Sequence, residues 1–185
     1  TGAQVRKPFG NPVTMEQIPM EQGPGFNGII DLLKMTMYKF GKEGGKPEKL
    51  PIPDSETDRA NELHNKLVEK AAENDEKLME LFFEKGNLDE DELREGIKIG
   101  MINHDVFPVF CLSAKNDMGS GRLMGFIDNV APSAVDAPPE IWVGGSECKC
   151  DPSTPVSVFI LRTRVDLHRG RLPLFHVTGG IVTAG

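Results

Sequence analysis

Apolar positions change their period several times along this chain. Val13 to Ile18 alternates apolar and polar residues, which predicts a strand. Gln22-Gly23-Pro24-Gly25 predicts a turn. Phe26 to Tyr38 is apolar with a weak alternation through Ile30, Leu32 and Met35, and predicts a second strand. Gly41 to Pro53, rich in Gly, Pro and Lys, predicts a loop. From Asp54 to Lys85 the period becomes helical, with Leu63, Leu67, Ala71, Leu78 and Phe82 on one stripe. Ser55 with Asp58 has the form of a capping box, and acids crowd the first turn, where the helix dipole favours them. Asn74-Asp75 is a candidate break into two helices, and Gly86-Asn87 a stop signal. Asp89 then caps a further helix, with Leu88 and Leu93 as its hydrophobic staple and Leu93, Ile97 and Met101 on its buried side.

Val106 to Leu112 predicts a buried strand that ends in Ser113-Ala114-Lys115. A helix over Gly121 to Val130 follows, with Leu123, Ile127 and Val130 facing inward and Pro132 ending it. Ser133 to Pro155 is rich in Pro, Gly, Ser and Asp, contains the sole tryptophan, Trp142, and reads as an interdomain linker. Val156 to Val165 and Leu172 to Val182 are β-branched and alternating around Asp166-Leu167-His168-Arg169-Gly170, as in a β-hairpin. A lone hairpin is marginal in water, so this end reads as a cut through a domain. Thr1 to Asn11 reads as a truncated lead-in.

Charge sharpens this picture. The net charge of −7 argues against broad affinity for nucleic-acid phosphates. It is concentrated: Asp54 to Glu95 holds 15 Asp/Glu against 6 Lys/Arg, and the rest of the chain 13 against 15. The helical stretch is therefore an acidic surface, either a solvated face or a dock for a lysine-bearing partner. Three cysteines do not make a disulfide framework, and Cys148-Lys149-Cys150 lacks a second ligand pair. His64, His104, His168 and His176 form no metal-ligand spacing. With no bilayer-length apolar run and no signal peptide, the expectation is a soluble, cytoplasmic protein without membrane partners.

An apolar strand, a Ser-Ala-Lys loop and an amphipathic helix form the layout of the last guanine-recognition motif in P-loop GTPases. The loop's backbone N–H groups reach the base, and a small Ala permits close approach. The other motifs of that class are missing. Gly41-Lys42-Glu43-Gly44-Gly45-Lys46-Pro47 is one residue short of a phosphate loop, has Pro47 in place of the Mg²⁺-binding hydroxyl, and reads as a flexible turn. No D-x-x-G stands where a switch would need it, and Asn65-Lys66-Leu67-Val68 lacks the Asp of N-K-x-D. This chain alone is not expected to hold or cleave a nucleoside triphosphate.

Taken in order, these motifs resemble elongation factor G, the ribosomal translocase of the translational GTPase family, over nearly the whole chain. Pro12-Val13-Thr14 to Ile18-Pro19 and Phe26-Asn27-Gly28-Ile29-Ile30-Asp31-Leu32 resemble the entry into that family's G-domain insert. The acidic helices resemble the insert's body. Pro108-Val109 through Lys115 resembles the last G-domain strand and fifth guanine motif, and Pro132-Ser133-Ala134-Val135-Asp136-Ala137-Pro138 the exit linker. Asp166, Gly170, Leu172, Phe175, Val177 and Gly180 resemble the first hairpin of the second-domain barrel.

The resemblance implies an α/β fold class. Residues 1–131 would be the C-terminal part of a P-loop G domain with an α+β insert at about 18–105. Residues 132–155 would be a linker, and 156–185 the truncated start of a β-barrel. It implies a ribosome-dependent GTPase that promotes tRNA and mRNA translocation, with GTP or GDP and Mg²⁺ in the full-length parent and neither in this fragment. Ser113, Ala114 and Lys115 would be cofactor-binding, Ser113 bracing the loop through its side chain. No catalytic residue and no metal ligand would lie in this chain. The partners implied are the ribosomal stalk protein, on the acidic insert, and ribosomal RNA or the G domain, near the Asp166–Gly170 turn, to which Arg162, Arg164, Arg169 and Arg171 give positive charge suited to phosphate. Departures leave other readings open. The family usually has Lys at Arg162, Arg at His176, and a Phe between Ala114 and Lys115. A paralogue, a ribosomal-protection factor, or a free-standing acidic adaptor without GTPase activity are the alternatives.

Overall fold

Val13 to Ile18 alternates as one strand should, but the chain bends at Glu16 and serves two sheets. β1 (Val13–Met15) pairs in parallel with β6 (Phe107–Val109), and β2 (Gln17–Pro19) begins a four-stranded antiparallel sheet. The expected alternation of burial is absent there: Glu16 and Gln17 are as buried as Val13 and Ile18. The computed structural model describes residues 7–8, 10, 12–142 and 144–184, so most of the predicted lead-in lies outside the described residues. The chain is mixed α/β and divides into two compact units, Thr1–Ala131 and Pro132–Gly185.

In the first unit the antiparallel sheet runs in the order β2, β3 (Gly28–Asp31), β4 (Thr36–Gly41), β5 (Gly44–Leu50). Phe26 to Tyr38 is thus a hairpin rather than one strand. Asp31 ends β3 by accepting the Lys34 N–H at 3.1 Å, and Met35 takes φ 47° to return the chain. The predicted loop Gly41 to Pro53 also contains a strand, β5. An edge strand needs backbone pairing and little apolar surface, so its Lys, Glu and Pro residues hid it.

Three helices follow: α1 (Asp54–Ala72), α2 (Glu76–Lys85) and α3 (Glu90–Ile102). The helical stripe is sound: Leu67, Ala71 and Leu78 are buried, the first two in one core with Ile18, Ile30, Leu32, Leu93 and Ile97. The break falls at Asp75, whose side chain accepts the N–H groups of Lys77 and Leu78, and α2 ends at left-handed Gly86. The capping box placed at Ser55 and Asp58 is corrected. Pro53 is the N-cap, with φ −60° and ψ 144°, and no side chain caps the helix. Ser55 is already inside the first turn. The box stands instead at Asp89 and Glu92, each side chain bonded to the other's backbone N–H. Close crossing of α1 and α3 depends on Gly96, where a Cβ would lie 2.6 Å from the Ala71 carbonyl oxygen.

The predicted strand Val106 to Leu112 is regular over Phe107–Val109 alone, because β1 turns away at Glu16. α4 (Ser120–Asn129) buries Phe126, with Val130 beyond its end and Leu123 half-buried. Ile127, predicted to face inward, is 49% exposed. Arg122 points inward to Asp31, and the helix face that follows it at four-residue spacing is Phe126 and Val130. That anchor rotates Ile127 outward.

In the second unit the stretch read as a linker carries a small antiparallel pair, β7 (Glu140–Ile141) with β8 (Glu147–Cys148). β9 (Ser157–Asp166) and β10 (Gly170–Gly179) form the predicted hairpin. Asp166 closes its turn by accepting from the N–H groups of His168 and Arg169 at 2.9 and 2.8 Å. Pro173 sits one residue before a register shift at Leu174/Phe175, as a proline inside a strand requires. Val158, Phe159, Ile160, Leu161, Leu174 and Phe175 are all exposed, so both faces of this hairpin are apolar and uncovered. Among the described residues no helix is long and apolar enough to cross a membrane.

The two caps make a direct contrast. Asp89→Ala is expected to lower stability by about 1 kcal/mol in urea unfolding, and Ser55→Ala to change it by a few tenths at most. Equal losses would contradict the assignment of the caps.

Candidate functional site

β1 and β6 run parallel, and ligands of parallel sheets gather beyond the carboxyl ends of the strands. Two features lie there: the loop after β6 and the polar interior at Glu16. Past Val109 the regular strand pairing ends, and Gln17 takes the partner's place. The Cys111 N–H donates to Gln17 Oε1 at 3.2 Å, and its thiol to the Gln17 carbonyl at 3.5 Å. Burial pushes that thiol above its ordinary range and keeps it the donor.

Ser113 closes the loop with two backbone bonds. Its N–H donates to the Met118 carbonyl at 2.8 Å and its carbonyl accepts from the Met118 N–H at 3.1 Å. Between them Ala114–Asn116 forms one 3₁₀ turn, and Asp117 takes the left-handed conformation. Ser113, Ala114 and Lys115 are therefore together on one loop, the latter two exposed. Ala114 and Lys115 open a helical turn, where N–H groups have no acceptor inside the turn. The expected bracing by the Ser113 side chain is corrected: it makes no capping bond, and its backbone pairing with Met118 holds the loop instead.

The Gly41–Pro47 stretch, read as a flexible turn, joins β4 to β5 and presses on this loop. The Gly45 N–H donates to the Asp117 carbonyl at 3.0 Å. Gly44, at φ +73°, lies so close that a Cβ would stand 1.8 Å from the Asn116 carbonyl oxygen. Only the sequence Gly-Gly hinted at this contact.

The interior cluster was not read from the sequence at all. Glu16 is 2% exposed, and its Oε1 accepts from the Thr14 hydroxyl at 3.3 Å. Burial, with the Asp31 carboxylate nearby, pushes its pKa up to about 8. Asp31, at the end of β3, accepts from Arg122 Nη2 at 2.9 Å, and the Arg122 guanidinium lies 4.4 Å above the Tyr38 ring. Glu16 Oε2 and Arg122 Nε are buried without a hydrogen-bond partner among the described residues. Glu16, Asp31 and Arg122 border one cavity of about 90 Å³. The signal available was polarity in buried positions, which a single sequence does not reveal. His64 is structural, as expected: its Nδ1 lies 2.7 Å from the Leu32 carbonyl.

No family model matches the chain. Among solved structures it is similar to the crystal structure of ttk003000868 from Thermus thermophilus, with a TM-score of 0.73 and 19% identity. The match covers 96% of this chain and 24% of that protein, so the chain spans about a quarter of its length. At that identity the likeness shows the fold.

The Glu16 carboxyl generates a pH prediction. Its folded pKa of about 8 stands above the ordinary 4.5, so the folded state keeps a proton that the unfolded chain releases. Stability then falls as pH rises from 4.5 to 8, by at most about 1.4 kcal/mol per pH unit from this group. Glu16→Gln is expected to be the more stable protein at pH 8 in urea unfolding, the difference vanishing near pH 4.5. A difference that does not change with pH would contradict it.

Proposed function

We propose that this chain is part of a ribosome-dependent GTPase resembling elongation factor G, which promotes tRNA and mRNA translocation. The observation that carries this reading is the parallel pair β1–β6 delivering Ser113-Ala114-Lys115 to an exposed loop at its carboxyl edge. In this reading Ala114 and Lys115 offer backbone N–H groups to the guanine, and the Gly44–Gly45 turn supports the loop from behind. Two further observations support it. The fold recurs within a protein of about four times this length. The β9–β10 hairpin leaves apolar side chains on both faces, as the first strands of a barrel completed by further chain would.

Phosphate binding, Mg²⁺ and the positioned water of GTP hydrolysis then come from parts of the protein outside this sequence. The acidic face of α1 to α3 is the dock for the ribosomal stalk protein, and the arginines of β9 and β10 are suited to ribosomal RNA. The departures at Arg162, His176 and the shortened Ala114-Lys115 step favour a specialised paralogue or ribosomal-protection factor as the second reading.

The test is GTP turnover by the full-length protein that carries this sequence, with and without ribosomes. Strong stimulation by ribosomes is expected, and turnover indifferent to them would overturn the translational reading. This chain alone is expected to bind neither GDP nor GTP in calorimetry, and micromolar binding would contradict the division of roles.

A further inference from the structure

The cavity beside Glu16 is walled by β3, α3 and α4 and stands apart from the Ser113–Lys115 loop. Glu16 Oε1 accepts from Thr14, which leaves the carboxyl proton on Oε2. Arg122 spends Nη2 on Asp31 and stacks on Tyr38, which leaves Nε–H. Two buried donors thus border one cavity and lack acceptors among the described residues. Burying such groups unpaired is costly, so the cavity suits an occupant that brings acceptors.

Size and charge narrow the class. About 90 Å³ excludes an aromatic ring, a nucleotide or a sugar, and admits a few heavy atoms. The lining carries Lys34, Arg94 and Arg122 against Asp31. Lys34 is bridged at 3.1 Å to Glu90, and Arg94 to Glu90 and Asp91, at the exposed rim. With Glu90 and Asp91 counted, three cations meet three carboxylates, so a bound anion relies on hydrogen bonds from the two donors, and a doubly charged phosphate would face Asp31, Glu90 and Asp91. Phe110 and Phe126, packed edge to face at 4.6 Å, supply an apolar wall for a short alkyl tail.

We propose that this cavity is a binding site for a small monocarboxylate, held by the Glu16 carboxyl O–H and the Arg122 Nε–H. The inference does not rest on the translational reading. Binding requires Glu16 to be protonated, so it weakens as pH rises past that group's titration at about 8. Asp31, Lys34, Arg94 and Arg122 are the charged groups that face Glu16 across the cavity.

The experiment follows the Arg122 Nε–H resonance of the labelled chain at pH 7 while sodium acetate or propionate is added, with sodium chloride at matched ionic strength as the control. A saturable shift with a millimolar midpoint is expected from the carboxylates alone. The midpoint should rise roughly tenfold per pH unit above the Glu16 titration, and Glu16→Gln, which keeps an N–H donor in place, should bind without that dependence. Gly125 lines the cavity from α4, and a Cβ there would meet nothing within 4 Å. Gly125→Leu is therefore expected to fold normally by circular dichroism and to lose the shift. An unsaturable response, or one equal to chloride, would mean that water alone satisfies the two donors and would overturn the proposal. A saturable shift that survives in Gly125→Leu would place the carboxylate elsewhere and overturn it as well.

Discussion

The change of sheet at Glu16 is the constraint from which the rest of the first unit follows. The Glu16 N–H donates to the Val109 carbonyl at 3.1 Å, and its carbonyl accepts from the Leu32 N–H at 2.9 Å. One residue therefore ties the parallel pair to the antiparallel sheet, with a backbone bond to each. Bending there swings Gln17 opposite Cys111 and drops a carboxyl into the interior. It also brings the end of β3 beneath α4, where Asp31 takes Arg122. That ion pair sets the rotation of α4, which buries Phe126 and turns Ile127 outward.

The same bend positions the loop after β6. Once the partner strand has left, Phe110 to Leu112 is held by a glutamine side chain, and the chain can turn sharply at Ser113. The loop is then fixed twice, by the Ser113–Met118 backbone pair and by the Gly44–Gly45 turn of the antiparallel sheet. The backbone of this exposed loop is thereby fixed by contacts within the first unit alone. The structural elements that shape it come from both sheets, so the sheets and the loop form one mechanical unit.

Helices were legible in the sequence because their signals are local. Asp89 as an N-cap, Asp75 before α2, and Gly86 after it each act within one turn, whereas the capping box at Asp89 and Glu92 was misplaced to Ser55 and Asp58. The β9–β10 hairpin was legible for the same reason, through Asp166 and Gly170. What escaped was non-local. β5 is an edge strand with little apolar content, and pairing with β4 defines it. Ile127 lost its inward place to an ion pair formed between residues 91 positions apart. Glu16 reads as a polar position in an alternating strand, and its burial follows from a sheet boundary that periodicity does not mark. Ser113, Ala114 and Lys115 were found as a motif, while the turn that supports them and the cluster beneath were supplied by tertiary structure.

Tied by the two Glu16 backbone bonds, the two sheets of the first unit should behave as one cooperative body. Native-state hydrogen exchange in increasing urea tests it most directly, read at three amides: Phe107, bonded to Pro12; Glu16, bonded to Val109; and Leu32, bonded to Glu16. Similar protection at all three and a common loss with denaturant are expected. Free exchange at Phe107 and Glu16 while Leu32 stays protected would show that the parallel pair opens alone, and would contradict it.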